Sequence, residues 1–257
     1  MITLQQALAA IPEISSATVE QQLSDGPSNA SYLLEQSGEH FVLRLDKPQA
    51  RALGLNRSNE KTVLQAIAAG GLAAEPHYFD VAKGVLLRSF VPGRSWTMDD
   101  MGSEHQLCRL ARLLGTLHGL PPVGDSFDPL KAARGYARYI NNSGANAILR
   151  RAASLATEIG NFPQSAVLCH NDLVCQNILE SELLGLIDWE YAAMGDRYFD
   201  LAVVLQHHGV ESRLSGIFLE CYLGRCATTE EQKQLSLQRD FYLCLLDLWN
   251  QRTAGVR

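Results

Sequence analysis

The polar segment at residues 170–177, His-Asn-Asp-Leu-Val-Cys-Gln-Asn, constrains this chain more than any other feature, because short apolar runs bracket it on both sides. Val167-Leu168-Cys169 reads as a short buried strand that delivers His170 and Asp172 to a loop. Ile178-Leu179 and Leu184-Gly185-Leu186-Ile187 read as a hairpin around the polar turn Glu180-Ser181-Glu182. Folding that hairpin brings Asn177, at its start, close to Asp188, at its end. These are the groups that phosphoryl transfer requires. Asp172 can orient a hydroxyl and accept its proton, while Asn177 and Asp188 offer hard oxygen ligands for Mg²⁺ on ATP phosphates.

A protein-kinase catalytic loop runs His-Arg-Asp, with Asn five residues after the Asp and Asp-Phe-Gly downstream. Here Asn171 replaces the Arg, and Asp188-Trp189-Glu190 replaces Asp-Phe-Gly, which points away from protein kinases. Cys169-His170-Asn171-Asp172, Asn177-Ile178-Leu179 and Ile187-Asp188-Trp189-Glu190-Tyr191 resemble the aminoglycoside phosphotransferase/choline kinase family. Choline and ethanolamine kinases are most similar, and thiamine kinases share the Ile-Asp-Trp-Glu-Tyr part. The likeness is strong over 169–202, moderate over 25–91 and weak elsewhere. It implies an α+β, protein-kinase-like two-lobed fold. Residues 1–91 would form a nucleotide-binding lobe of antiparallel sheet plus helix, and residues 92–257 a mostly helical lobe for catalysis and acceptor binding. ATP and Mg²⁺ are the implied cofactors.

Composition narrows the partners. The 257 residues are 46% hydrophobic, enough for a real core, and carry a formal net charge of −6. No strongly basic stretch exists, so nucleic acid is not an expected partner. No apolar run approaches membrane-spanning length, and the N-terminus lacks a basic region followed by an apolar one. The six cysteines form no C-x-x-C pair and read as reduced thiols of a cytoplasmic protein. A monomer or a homodimer is equally compatible with these features.

Upstream, residues 2–11 read as a short amphipathic helix ended by Pro12. Residues 23–32 read as a hairpin turn whose Ser28 and Asn29 could cover phosphates; taken alone they would also suit a plain turn. Phe41-Val42-Leu43-Arg44-Leu45 alternates as a strand. Arg44 sits where the resembled family carries its phosphate-binding cation, though an exposed strand Arg would read the same way. Glu60, Val63, Leu64 and Ile67 share one helix face, so Glu60 needs a partner. Arg44 is one candidate, and Arg57, three residues earlier, is the other. A strand pair around Lys83-Gly84 ends at Val91-Pro92-Gly93, where the interlobe hinge is placed. The resemblance implies that the backbone from Ser89 to Val91 would meet the adenine edge.

Downstream, 104–118 reads as a helix with Leu107, Leu110, Leu114 and Leu117 inward, and His118 reads as a packing residue. Residues 136–158 give a second helical stretch, and 213–225 and 230–252 two more. Gly195-Asp196 and Asp200-Leu201-Ala202 resemble the family's element after the metal Asp. Asp200 is expected to brace the catalytic loop alongside His170. Glu190, Asp196, Trp189, Tyr191, Tyr242 and Trp249 could form an acidic, aromatic wall for a cationic acceptor, although aromatics in C-terminal helices also serve packing. The small-molecule acceptor is therefore expected to be choline- or ethanolamine-like, with thiamine or an aminoglycoside as alternatives. A non-catalytic nucleotide-binding protein and a metal-dependent hydrolase are the readings of other classes.

Overall fold

In this computed structural model, which describes residues 2–140, 142–163 and 165–254, the alternation at residues 41–45 decides the first half of the chain. Helix α1 (Leu4–Ala10) is followed by strands β1 (Thr18–Asp25), β2 (Asn29–Gln36) and β3 (Glu39–Asp46), helix α2 (Arg57–Ala69), and strands β4 (Tyr78–Asp80) and β5 (Val85–Ser89). The strands form one antiparallel sheet in the order β1-β2-β3-β5-β4. Phe41, Leu43 and Leu45 on one face of β3 join Ala7, Ile11, Leu34, Val85 and Leu87 in an apolar cluster. The opposite face of β3 presents Arg44 to α2, whose Val63, Leu64 and Ile67 are buried. Asn56 caps α2, accepting from the backbone of Ser58 and Asn59.

The rest of the chain is mainly helical. It contains β6 (Arg94–Ser95), α3 (Met98–Met101), α4 (Glu104–His118), α5 (Pro129–Ala137), α6 (Ser143–Ile159), β7 (Ala166–Cys169), β8 (Ile178–Glu180), β9 (Leu184–Leu186), β10 (Ala193–Asp196), α7 (Arg197–His207), α8 (Ser212–Leu223) and α9 (Thr229–Ala254). The stretch expected to be one helix over 136–158 is two. Asn142 interrupts it by turning its side chain onto the Ala145 N–H as the cap of α6. The β8–β9 hairpin pairs with β6, and β7 pairs antiparallel with β10.

By compactness the chain divides into two units. One comprises the residues through Gly93 together with Trp189–Tyr191, and the other comprises Arg94–Asp188 and Ala192–Arg257. No helix among the described residues is long and apolar enough to cross a membrane.

One expectation is overturned. The cysteines are not all thiols: Cys108 of α4 and Cys221 of α8 form a disulfide, 113 residues apart. Cys169, Cys175, Cys226 and Cys244 are free. Such a pairing follows from the packing of α4 against α8, which no local spacing announces.

Candidate active site

The residues expected to form the catalytic loop all lie in the second unit, and hydrogen bonds to their backbone set their positions. β7 ends at Cys169, and the next residue, His170, is fully buried. The Asp200 carboxylate, in the first turn of α7, accepts from the N–H of His170 through Oδ2 and from the N–H of Asn171 through Oδ1, both at 2.7 Å. Oδ2 also pairs with His118 Nε2 at 3.2 Å, and His118 Nδ1 meets the Tyr222 hydroxyl at 2.7 Å. Asn171 then adopts the left-handed conformation, φ 65°. Asn tolerates this better than most residues, but it still costs energy.

His170 and Asn177 both hold Asp172. Its N–H lies 3.3 Å from His170 Nδ1, and Asn177 Nδ2 donates to its backbone oxygen at 2.9 Å and to Oδ2 at 3.0 Å. The same two partners reach the segment before Asp188. His170 Nε2 lies 3.0 Å from the Ile187 carbonyl, so it carries the proton there. The Ile187 N–H donates to the Asn177 carbonyl at 3.0 Å. Asp188 follows with φ 64°, the second non-glycine residue of this site in the left-handed region. Burial drives the His170 imidazole below the ordinary histidine range, against the charges of Asp200 and Asp188. A neutral ring with one donor and one acceptor nitrogen is what its two hydrogen bonds need.

A different cluster occupies the first unit. Arg44 makes a two-pronged pair with Glu60, 2.7 Å on each side, and Arg57 makes another with Asp46, at 2.8 and 2.7 Å. Arg57 Nη1 also reaches Glu60 at 2.8 Å and Glu190 at 3.0 Å. Glu190 accepts from the Ser28 hydroxyl at 3.0 Å and from Asn29 Nδ2 at 2.9 Å. Arg44 and Arg57 thus face the three carboxylates of Asp46, Glu60 and Glu190, all largely shielded from solvent. Burial pushes the Glu60 carboxyl up, but the charges and hydrogen bonds of Arg44 and Arg57 prevail and hold it below the usual range. The choice left open between Arg44 and Arg57 as the Glu60 partner resolves as both.

The side chains expected to form an acidic, aromatic wall meet other groups of the protein. Glu190 is engaged with Arg57, Ser28 and Asn29. Trp189 is buried, and Tyr191 is half-buried. Asp196 caps α7 and accepts from Gln234 and Gln238 of α9. Tyr242 bonds His207, and Trp249 packs edge-on against Tyr136, 5.3 Å between ring centres. Ser89, at the end of β5, meets His77 at 2.8 Å, and Val91 is exposed. Burial raises the Tyr136 phenol, with Arg252 opposing and the Asp172 carboxylate adding to the rise, and burial likewise raises that of Tyr242. No signal in the sequence singles Tyr136 out, since it is one aromatic in an ordinary helix.

An antiparallel sheet with one long helix in the first unit, and a helical second unit carrying the loop, define a protein-kinase-like fold. The chain belongs to the phosphotransferase enzyme family, which matches residues 19–227. Among curated relatives, the protein LicA of Haemophilus influenzae is 27% identical over 225 residues, covering 83% of this chain and 64% of that protein. A second LicA, from strain KW20, is 27% identical over 82% of this chain and 81% of its own length. A thiamine kinase from Shigella boydii is 28% identical over 70% of this chain and 64% of its own. In fold, the choline kinase LicA from Streptococcus pneumoniae superposes with a TM-score of 0.82 at 21% identity, covering 96% of this chain and 89% of the other.

Proposed function

We propose that this protein is an ATP- and Mg²⁺-dependent kinase that transfers the γ-phosphoryl group to the hydroxyl of a small amino alcohol, choline- or ethanolamine-like. The observation that carries the reading is the Asp172 carboxylate, held by Asn177 at 3.0 Å on a loop that Asp200 pins through two backbone N–H groups. A fixed carboxylate suits a reaction whose transition state is loose and needs positioning more than nucleophilic push.

In this reading Asp172 orients the acceptor hydroxyl and takes its proton as the phosphoryl group departs from ADP. Asn177 directs Nδ2 at Asp172, which leaves its oxygen for a cation. With the Asp188 carboxylate it makes a hard donor set that fits Mg²⁺. Bound there, Mg²⁺ would supply charge neutralisation on the phosphates. Arg44, fixed by Glu60, would contribute positive charge to phosphate binding. The amino alcohol preference rests on the choline kinase and LicA relatives, and the thiamine kinase likeness makes thiamine the next acceptor to try.

The test is ADP release with choline, ethanolamine, thiamine and an aminoglycoside, for the unaltered protein and for Asp172→Ala. Acceptor-stimulated release that falls by about 10²–10⁴-fold in the variant, with the melting temperature retained, supports the proposal. Unchanged turnover in Asp172→Ala, or hydrolysis indifferent to every acceptor, would overturn it.

A further inference from the structure

A cavity of about 340 Å³ lies within the second unit, where the segment before α5 meets β10, α7 and α9. Ser126 bridges in parallel to Met194 of β10. The Phe127 N–H donates to the Met194 carbonyl, and the Met194 N–H to the Asp125 carbonyl, both at 2.8 Å. That pairing sets Phe127 edge-on against Phe199 of α7, 5.6 Å between ring centres. The buried rings of Phe199 and Phe241 line the depth of the cavity, whereas Ser126 and Ser165 stand exposed at its rim. Gln238 of α9 also lines it and is only 3% exposed. Its Nε2 donates to Asp196 Oδ2 at 2.7 Å, beside Gln234 Nε2 at 3.1 Å. A carboxylate accepts and does not donate, so this contact fixes which end of the Gln238 amide faces Asp196. The other end, Oε1, is buried and has no hydrogen-bond partner among the described residues. A buried amide oxygen without a donor is costly, and it calls for one.

We infer that this cavity is a binding site for a small apolar alcohol, whose hydroxyl donates to Gln238 Oε1 while its body lies against Phe199 and Phe241. The volume is at the lower end of small-molecule sites, and apolar walls with a few placed polar groups are their usual make-up. The polar groups set the ligand class. Gln238 offers an acceptor, and Asp196, also on the wall, brings negative charge, so an anion of the same size is repelled. Among the described residues that line the cavity, Asn171 belongs to the loop of the proposed site, while Asp172, Asn177 and Asp188 are not among them. Asn171 leads directly into Asp172, and its N–H is one of the two that Asp200 holds. An occupant therefore lies against the residue that enters the catalytic turn. This site is separate from the one assigned to phosphoryl transfer, and binding to it requires no turnover.

Benzyl alcohol is the probe, and titration calorimetry reads its affinity for the unaltered protein, Gln238→Met and Ala156→Phe. Gln238→Met keeps the length of the side chain and removes the acceptor, while Asp196 retains Gln234 and the Tyr198 N–H. Benzyl alcohol should bind the unaltered protein saturably, and Gln238→Met about two- to tenfold more weakly, the worth of one neutral hydrogen bond. Benzyl methyl ether, which has the ring and no donor, should bind more weakly than the alcohol and equally to both proteins. Benzoate should bind far less well than the alcohol. Ala156 lines the cavity from α6, so the ring of Ala156→Phe should fill it and abolish binding. In amide spectra of the labelled protein, the alcohol should shift Asn171, Phe199 and Gln238. The inference is overturned by absence of saturable binding, by equal affinity in Gln238→Met with its melting curve intact, or by binding retained in Ala156→Phe. Shifts confined to residues away from the cavity, or benzoate binding as tightly as the alcohol, overturn it too. Should Gln238→Met fail to fold, the ether decides on the unaltered protein: affinity equal to the alcohol's removes the role given to Oε1.

Discussion

Asn171 and Asp188 pay a conformational cost that glycine would avoid, and each lies beside or within the proposed chemistry. Their φ values of 65° and 64° fall where side chains other than Gly, Asn and Asp are strongly disfavoured. Asn171→Val should therefore destabilise the protein by about 1–2 kcal/mol in urea titration, whereas Asn171→Gly should leave the midpoint nearly unchanged. The residue types were legible beforehand, because Asp172, Asn177 and Asp188 follow from spacing alone. Their backbone conformations were not, since φ at one residue depends on how β7 and the β8–β9 hairpin are anchored.

At the scale of elements, one carboxylate ties α7 to the loop after β7. Asp200 accepts from two backbone N–H groups and from His118, all from outside its own helix. Asp200→Asn keeps the size but turns one acceptor into a donor facing another donor. Loss of charge-assisted bonds of this kind should cost about 2–4 kcal/mol, measured as a lowered unfolding free energy. The buried cluster between β3 and α2 makes a parallel case. Glu60→Ala leaves Arg44 and Arg57 buried without their shared carboxylate, and should cost about 3–5 kcal/mol. Periodicity had already placed Glu60 in line with a buried stripe, so the need for a partner was readable. That Arg57 would also reach Asp46 and Glu190 was not, because Glu190 is 133 residues away in sequence.

For the whole molecule, two conditions should move stability. His170, His207 and His208 are each driven by burial below the ordinary value of 6.5. The unfolded chain protonates them as pH falls through 6.5, while the folded one resists until lower pH. The unfolded state then binds more protons, so stability falls with decreasing pH below about 6.5 and is fully present above it. Urea midpoints should accordingly be lower at pH 5.5 than at pH 8. The Cys108–Cys221 disulfide closes a long loop between α4 and α8. Reductant, or Cys108→Ser with Cys221→Ser, should lower stability by about 2–4 kcal/mol in calorimetry, and no shift would remove the bond from the account.

The order of side chains alone determined the strand carrying Arg44, the helix carrying Glu60, and the loop and hairpin that frame Asp172, Asn177 and Asp188. These are local patterns, in which periodicity and turn chemistry act between near neighbours. Tertiary packing alone decided that Glu190 would join the Arg57 cluster, that Cys108 would meet Cys221, and that Arg252 would lie on Tyr136 and Tyr139. Each of those contacts joins distant segments, and burial of charge and aromatic surface selects them only once the helices have packed.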